Sequence, residues 1–308
     1  MGDMAQILAK LPSEMQREIY DFLATHEDAI EEIRIRAGSP VILFAGGREY
    51  CLKGRYGRPL DSKLVQDIFN SVLNHSAYAY QDELSKGYIT IEGGHRVGVC
   101  GRVILEKGQI KAIKDVSSLN LRRSREIIGV SDNLIPWLFD PKGRFLHTII
   151  VSPPMCGKTT LLRDLIRNLS GLGLRVGVCD ERSEIAGCYR GVPSFDLGHR
   201  TDILDGCPKG EGMLMLIRGM SPQVIATDEI GRPEDLSGIE GALCAGVGLL
   251  TTIHGKDYEE LLRSAIGNHV ASGVFKRYVY LSNTPRIGTI AAVTDEHNRL
   301  LYTALNKS

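Results

Sequence analysis

One segment of this sequence combines two prolines, a glycine, a lysine and two threonines between two apolar stretches. The segment, Ser152–Thr160, reads SPPMCGKTT and follows the apolar run HTIIV. The apolar residues after it recur at helical spacing: Leu161, Leu162, Leu165, Ile166 and Leu169. Backbone N–H groups of such a loop, together with the positive end of the following helix, can surround a phosphate group. The sequence therefore predicts a phosphate-binding loop between a strand and a helix.

The order of residues in this loop resembles the Walker A pattern, G-x-x-x-x-G-K-[ST]. In that geometry Lys158 reaches the β- and γ-phosphate oxygens of ATP and Thr159 holds Mg²⁺. We expect the loop to bind the nucleotide through Ser152, Pro153, Pro154, Met155, Cys156, Gly157, Lys158, Thr159 and Thr160. Ser152 stands where the pattern has its first glycine, and a tight turn there would lose the free φ of glycine. This departure predicts weakened nucleotide affinity and leaves the turnover rate open.

Two adjacent carboxylates end a later apolar run. The run VIAT is followed by Asp228 and Glu229. Asp228 is in a position to hold Mg²⁺ through water, and Glu229 to orient and polarise the attacking water. The alternative is an acidic first turn of a helix before Pro233. Paired with the phosphate loop, the carboxylates predict hydrolysis of ATP as well as binding.

Two further strand ends carry polar side chains. One apolar run ends in CDERSE, which offers Asp180, Glu181 and Glu184, and another ends in TTIHG, which offers His254. Parallel strands collect ligands at their carboxyl ends, so we expect all four runs to face one crevice. The acids would position water or metal, and His254 would sense the γ-phosphate. The alternatives are acids in a solvated loop and a structural histidine.

The pattern of apolar residues indicates how the chain positions these groups. Residues 1–125 predict a small α+β domain, with helices at 12–26 and 61–75 and strands at 32–36, 41–44, 49–52, 88–92 and 96–105. Residues 126–145 predict a linker with a short helix near 134–138. Residues 146–308 alternate apolar strands with helices, which predicts an α/β domain with a mainly parallel sheet covered on both faces.

Composition limits the classes of function. The 308 residues are 43% hydrophobic and 24% charged, close to globular averages, and 37 basic residues balance 37 acidic ones. Balanced charge and only 6% aromatic residues make nucleic acid an unlikely partner. Seven cysteines without zinc-ligand spacing, and no long apolar run or signal segment, predict a cytoplasmic protein in a reducing compartment.

Several motifs together resemble a known family. DERSE, Arg218 within LIRGMSPQVIATDEIG, and TTIHG are similar to motifs of the type II and type IV secretion ATPases. Across nearly the whole chain, EEIRIRAGSPV, RVGVCGR, GHRTDILDGCPKGEGM and SPQVIATDEIG resemble the stage III sporulation protein AA family. The resemblance implies a RecA-like P-loop ATPase domain and a hexameric ring. It also implies an integral-membrane partner in a secretion-like complex, and a place beneath the membrane in the mother cell of a sporulating bacterium.

A ring of this kind needs a cation at the γ-phosphate as charge spreads during transfer. We favour Arg218 and a first-domain set, and the candidates are Arg34, Arg36, Arg96, Arg102, Arg122, Arg123 and Arg218. Two other functions remain open beside the motor. The arginines in 121–125 would suit an ATPase that remodels nucleic acid, and Ser152 would suit a nucleotide-gated scaffold with little turnover.

Overall fold

The computed structural model describes residues 2–27, 29–74 and 80–303. The chain forms two compact units. The first comprises Met1–Arg125 with Gly187–Ser194, and the second comprises Glu126–Ala186 with Phe195–Ser308. The chain therefore enters the first unit a second time, directly after the CDERSE segment.

The first unit combines helices with an antiparallel sheet. Its helices are α1 (Gly2–Leu8), α2 (Ser13–Thr25), α3 (Ser62–Val72) and α4 (Gln81–Ser85). Its strands are β1 (Ile30–Arg36), β2 (Ile42–Ala45), β3 (Arg48–Cys51), β4 (Tyr88–Ile91), β5 (His95–Glu106) and β6 (Gln109–Arg122). They are hydrogen-bonded in the order β3-β2-β1-β6-β5-β4.

Local sequence explains the two longer helices. Met15 and Ile19, one turn apart on α2, are completely buried. The Asp61 carboxylate accepts the N–H of Lys63 and so caps α3. The predicted end of this helix at His75 lies outside the described residues.

Strand β6 was not expected from the sequence. Leu119 and Leu121 are buried on one face, and their polar neighbours alternate with them. The alternation is interrupted near Asp115, which has a positive φ of 47° where the register between β5 and β6 shifts. This bulge divides the strand into two short patterns, neither of which identifies it alone.

The second unit is built on a mixed sheet of eight strands. Its strands are β7 (Thr148–Ser152), β8 (Val176–Asp180), β9 (Thr201–Asp205), β10 (Val224–Thr227), β11 (Gly248–His254), β12 (Arg277–Ser282), β13 (Thr289–Thr294) and β14 (Leu300–Thr303). The order is β14-β13-β12-β7-β11-β10-β8-β9. Pairing is parallel from β12 through β9, whereas β12, β13 and β14 pair antiparallel.

The helices described in this unit are α5 (Lys158–Gly171), α6 (Lys209–Met220), α7 (Leu236–Cys244), α8 (Tyr258–Leu262) and α9 (Gly267–Ala271). Four of these five helices, α5 to α8, follow the carboxyl ends of parallel strands, and α9 follows α8. Every residue of β7, β8 and β10 is buried, as the continuous apolar runs require. The ends of β7, β8, β10 and β11 thus bring four motifs to one edge.

The predicted linker is instead a packed part of the second unit. Residues 126–145 include a 3₁₀ helix, Asp132–Trp137, in which Leu134 is completely buried. Ser131 donates its N–H and Oγ–H to Asp164 of α5, at 2.8 and 2.7 Å. Because these bonds anchor the segment to α5, it is not a free linker.

Among the described residues, no helix is both long and apolar enough to cross a membrane.

Candidate functional site

The phosphate loop obtains its turn from residues near its end. Ser152 is the last residue of β7, a buried strand, and its Oγ donates to the carbonyl of Pro153 at 2.8 Å. The left-handed positions are Met155, with φ of 60°, and Gly157, with φ of 83°. An extended strand end accepts any side chain, so serine at 152 costs the turn no conformational freedom.

Lys158 begins α5 and its side chain folds back over the loop. Its Nζ donates to the carbonyls of Ser152 and Pro153, both at 3.1 Å, and to Nδ1 of His254 at 3.1 Å. The side chain is largely buried, and that burial lowers the pKa of Lys158. The ammonium is therefore held at the loop by acceptors that phosphate oxygens can replace.

His254 and Arg182 both contact the predicted catalytic carboxylate. Nε2 of His254 lies 2.9 Å from Oε1 of Glu229, and Arg182 donates to Oε2 of Glu229 at 3.2 Å. Glu229 has a positive φ of 35°, and its N–H donates to the hydroxyl of Thr252 on β11 at 2.9 Å. These contacts fix the direction of the carboxylate at the sheet edge. The DERSE motif contains Arg182, but the sequence pattern alone does not predict a role for it.

Asp228 is a buried carboxylate without a hydrogen bond. It is 1% exposed, and neither oxygen has a hydrogen-bond partner within the described residues. Burial raises the pKa of Asp228 to about 6, opposed by Lys209 and assisted by Asp180. Unpartnered carboxylate oxygens beside a phosphate loop are what a Mg²⁺ ion needs, because Mg²⁺ takes one or two carboxylates and completes its shell with water and phosphate. Thr159, half-buried in the first turn of α5, offers the hydroxyl that the pattern requires.

Lys209 is a site residue that the sequence analysis missed. It begins α6 and is only 3% exposed, with Nζ 2.9 Å from Oε2 of Glu181 and 3.6 Å from Oδ1 of Asp228. Its acidic neighbours raise the pKa of Lys209 against the effect of burial. The available signal was a lysine at a helix start among glycines, but lysines are mostly exposed, so its type and position did not predict burial.

Asp180 serves the loop rather than facing a ligand. Its carboxylate accepts the N–H groups of Glu184, Ile185 and Ala186, at 2.9, 3.0 and 2.8 Å. Arg163 of α5 donates to the carbonyls of Glu184 and Ile185, both at 2.8 Å. Asp180 and Arg163 therefore hold residues 184–186 beside α5. The sequence predicts that Asp180 contacts the nucleotide, whereas its three hydrogen bonds give it a structural role in the loop after β8.

Arg218 is not brought to the site in its own chain. It is exposed in the last turn of α6, whose first residue is Lys209. At 1.5 Å per residue these two positions are about 14 Å apart along the helix axis. Arg218 is close in sequence to β10, which ends at the site. It is nevertheless far from the site in space, because α6 ends at the opposite edge of the sheet.

Four of the candidate arginines of the first unit have side-chain partners within that unit. Arg34 and Arg122 pair with Glu32, Arg96 lies over the ring of Tyr88, and Arg102 is 3.9 Å from Asp115. Arg36 ends β1, and Arg123 donates its N–H to the carbonyl of Glu31.

Comparison with solved structures indicates which kind of protein shares this fold. The chain resembles the ATPase DotB from Legionella pneumophila, with a TM-score of 0.56 and 17% identity over 88% of this chain and 76% of that one. It also resembles the pilus retraction motor PilT with bound ADP, with a TM-score of 0.55 and 16% identity over 85% and 76%. The chain therefore has an α/β fold like that of the secretion ATPases.

Sequence comparison gives the particular family. A model of the family described as "Sporulation stage III, protein AA" matches residues 3–301. The chain is 41% identical over 305 residues to stage III sporulation protein AA of Bacillus subtilis (strain 168), covering 97% of both. It is 26% identical over 176 residues to the uncharacterized protein ycf45 of Cyanidium caldarium, covering 56% of this chain and 50% of the relative. This chain belongs to the stage III sporulation protein AA family.

Proposed function

We propose that this protein hydrolyses ATP with Mg²⁺ and uses the energy as a motor of a secretion-like complex between mother cell and forespore during spore formation. The observation that carries the proposal is the contact chain from Lys158 through His254 to Glu229 at one sheet edge. The fold likeness to secretion ATPases and the family membership agree with it.

Binding of the triphosphate would replace contacts that Lys158 makes within the chain. The carbonyls of Ser152 and Pro153 are weaker acceptors for an ammonium than anionic phosphate oxygens. The loop N–H groups and the start of α5 would take the remaining charge. Lys158 would then lie along the β- and γ-phosphates and would no longer donate to Nδ1 of His254.

Hydrolysis would use Glu229 to orient water. Its two contacts hold the carboxylate at the end of β10, where an attacking water can be polarised. Arg182 provides a guanidinium in the same group, able to stabilise charge that spreads over the transferred phosphoryl group. A bound Mg²⁺, held by Thr159 and through water by Asp228, would neutralise charge on the β- and γ-oxygens.

The assembly and place of action follow from the resemblance to ring ATPases. We propose a homo-hexamer in the mother-cell cytoplasm that acts beneath an integral-membrane component of the complex. In a ring, an exposed side chain such as Arg218, distant from the site of its own chain, can serve a neighbour. Light scattering with and without Mg-ATP tests this step, because a constant monomeric mass would contradict self-assembly.

Phosphate release by the purified full chain tests the catalytic proposal. Wild type should turn over Mg-ATP, Lys158→Ala should neither bind nor turn over, and Glu229→Gln should bind ATP but lose at least about a hundredfold in rate. Turnover that survives Lys158→Ala would contradict the proposal. ATP binding with no turnover in any assembly state would favour the scaffold, and strong salt-dependent stimulation by single-stranded DNA would favour the remodelling ATPase.

A further inference from the structure

A loop outside the nucleotide motifs lies at the same sheet edge as the phosphate loop. Residues 283–288, NTPRIG, connect β12 to β13. Because β12 pairs in parallel with β7, its last residue, Ser282, emerges at the edge where Ser152 begins the phosphate loop. The topology thus makes 283–288 the neighbour of the phosphate loop on the side away from β11.

The two loops approach each other at Gly157, where a side chain would reach the neighbouring loop. A Cβ added to Gly157 would lie 3.4 Å from Cα of Gly288, 3.6 Å from its N and 3.7 Å from Cγ2 of Ile287. Contacts of this length are ordinary van der Waals contacts. The residue directly before Lys158 therefore packs beside Ile287 and Gly288.

Ile287 is an apolar side chain with unusual exposure for such a place. It is 67% exposed, although hydrogen bonds hold the loop that carries it. Thr289 donates its N–H and Oγ–H to the carbonyl of Arg286, at 3.2 and 2.7 Å, and Thr284 donates its N–H to Oγ of Ser282 at 3.0 Å. A hydrogen-bonded loop thus presents an exposed aliphatic side chain beside Gly157 of the phosphate loop.

We propose that Ile287 is the nucleobase contact of the nucleotide site. With the phosphates in the loop 152–158, the sugar and the base lie outside that loop. A planar base then needs an apolar surface beside the loop. Ligand sites generally combine a few polar anchors with apolar walls, and Ile287 supplies an apolar surface beside the phosphate loop. The assignment rests on the proposed nucleotide binding and adds to it: the site selects a nucleoside triphosphate over a bare polyphosphate.

Competition between ATP and inorganic tripolyphosphate tests the assignment. Both carry the triphosphate, and only ATP carries the base. Affinities are measured with Mg²⁺ on the full-length wild type, on Ile287→Ala, and on Leu300→Ala as a matched control. Leu300 is 59% exposed on β14 and lies outside the nucleotide site. Thermal unfolding checks that all three proteins are folded.

Ile287→Ala should weaken ATP binding about tenfold and leave tripolyphosphate binding within about twofold of wild type. Leu300→Ala should change neither affinity. Unchanged ATP affinity in Ile287→Ala, or equal weakening of both ligands, would overturn the assignment, because the side chain would then be idle or act through the phosphate loop. Tripolyphosphate and ATP bound equally tightly by wild type would also overturn it. Failure of wild type to bind either ligand would instead refute the nucleotide site itself, and this inference with it.

Discussion

Nζ of Lys158 lies 3.1 Å from Nδ1 of His254. Because the ammonium can only donate, Nδ1 accepts, and the ring proton is assigned to Nε2, which then donates to Glu229 at 2.9 Å. One imidazole thus joins Lys158, the proposed phosphate ligand, to Glu229, the residue proposed to orient water.

His254→Ala should therefore slow hydrolysis more than it weakens binding. We expect kcat for ATP to fall about a hundredfold, because Glu229 loses a donor that fixes its direction. ATP affinity should change by less than about threefold, because Lys158 keeps its loop contacts. Steady-state phosphate release and equilibrium binding measure the two effects. His297→Ala, at an exposed turn, should change neither, and a loss of affinity without a loss of kcat would contradict the role of His254.

Lys209→Met should destabilise the fold strongly. The ammonium is 3% exposed beside Glu181 and Asp228, and its removal takes from both acids their nearest cation. Removing one partner of a buried pair costs about 3 kcal/mol of unfolding free energy. Lys276, 40% exposed and 3.5 Å from Glu296, gives a matched control, and Lys276→Met should cost less than about 1 kcal/mol. Urea unfolding measures both, and equal effects would show that the Lys209 cluster contributes no more than a surface pair.

Asp228→Asn should stabilise the nucleotide-free protein above pH 6. Burial raises the pKa of Asp228 from 3.8 to about 6, so the folded chain holds a proton that the unfolded chain has released. This contribution of the wild type to stability is complete below about pH 4 and is lost as pH rises toward 6. At pH 8 the variant should gain on the order of 2 kcal/mol, and near pH 3 the two proteins should differ little. Urea midpoints across this range, in EDTA, measure it. A variant that is less stable at pH 8 would contradict the prediction.

The sequence predicted which strand ends meet at this edge of the sheet, because each strand is identified by its own residues. Asp228, Glu229 and His254 each follow a continuous apolar run, and such runs identify buried parallel strands whose ends meet. Strands β12–β14 were not predicted. The proximity of Gly157 to the loop between β12 and β13 was therefore not predicted either. That proximity depends on which strands are adjacent, which a local pattern does not determine.

The sequence-based predictions differ from the structure for residues whose role depends on their neighbours in the fold. The pattern made Ser152 look like a strained turn residue, but the chain turns at Met155 and Gly157. Arg218 is near Asp228 in sequence, yet it lies in the last turn of α6, before β10, whereas Asp228 follows the other end of that strand. Lys209 was missed because its burial is possible only beside acids from other elements.

Arg163 connects α5, the helix after the phosphate loop, to residues 184–186 after β8 by hydrogen bonds. Its side chain is 7% exposed, donates to two carbonyls of 184–186, and lies 3.8 Å from the ring centroid of Phe195. Burial lowers the pKa of Arg163 to about 10, so the guanidinium remains charged at neutral pH. The planar guanidinium donates to two carbonyls and lies over one aromatic ring at the same time, which an ammonium cannot do.

Arg163→Lys should therefore be far from conservative. It keeps the charge but leaves at least one carbonyl of 184–186 without a donor, at a cost of about 2 kcal/mol of unfolding free energy. Arg144→Lys, at a side chain 74% exposed beside Asp140, should cost less than about 1 kcal/mol. Hydrogen exchange gives the local readout: the N–H groups of Glu184, Ile185 and Ala186, which Asp180 accepts, should exchange faster in Arg163→Lys and not in Arg144→Lys. Unchanged protection would mean that Asp180 alone holds the loop, and that Arg163 stabilises α5 without reaching the site.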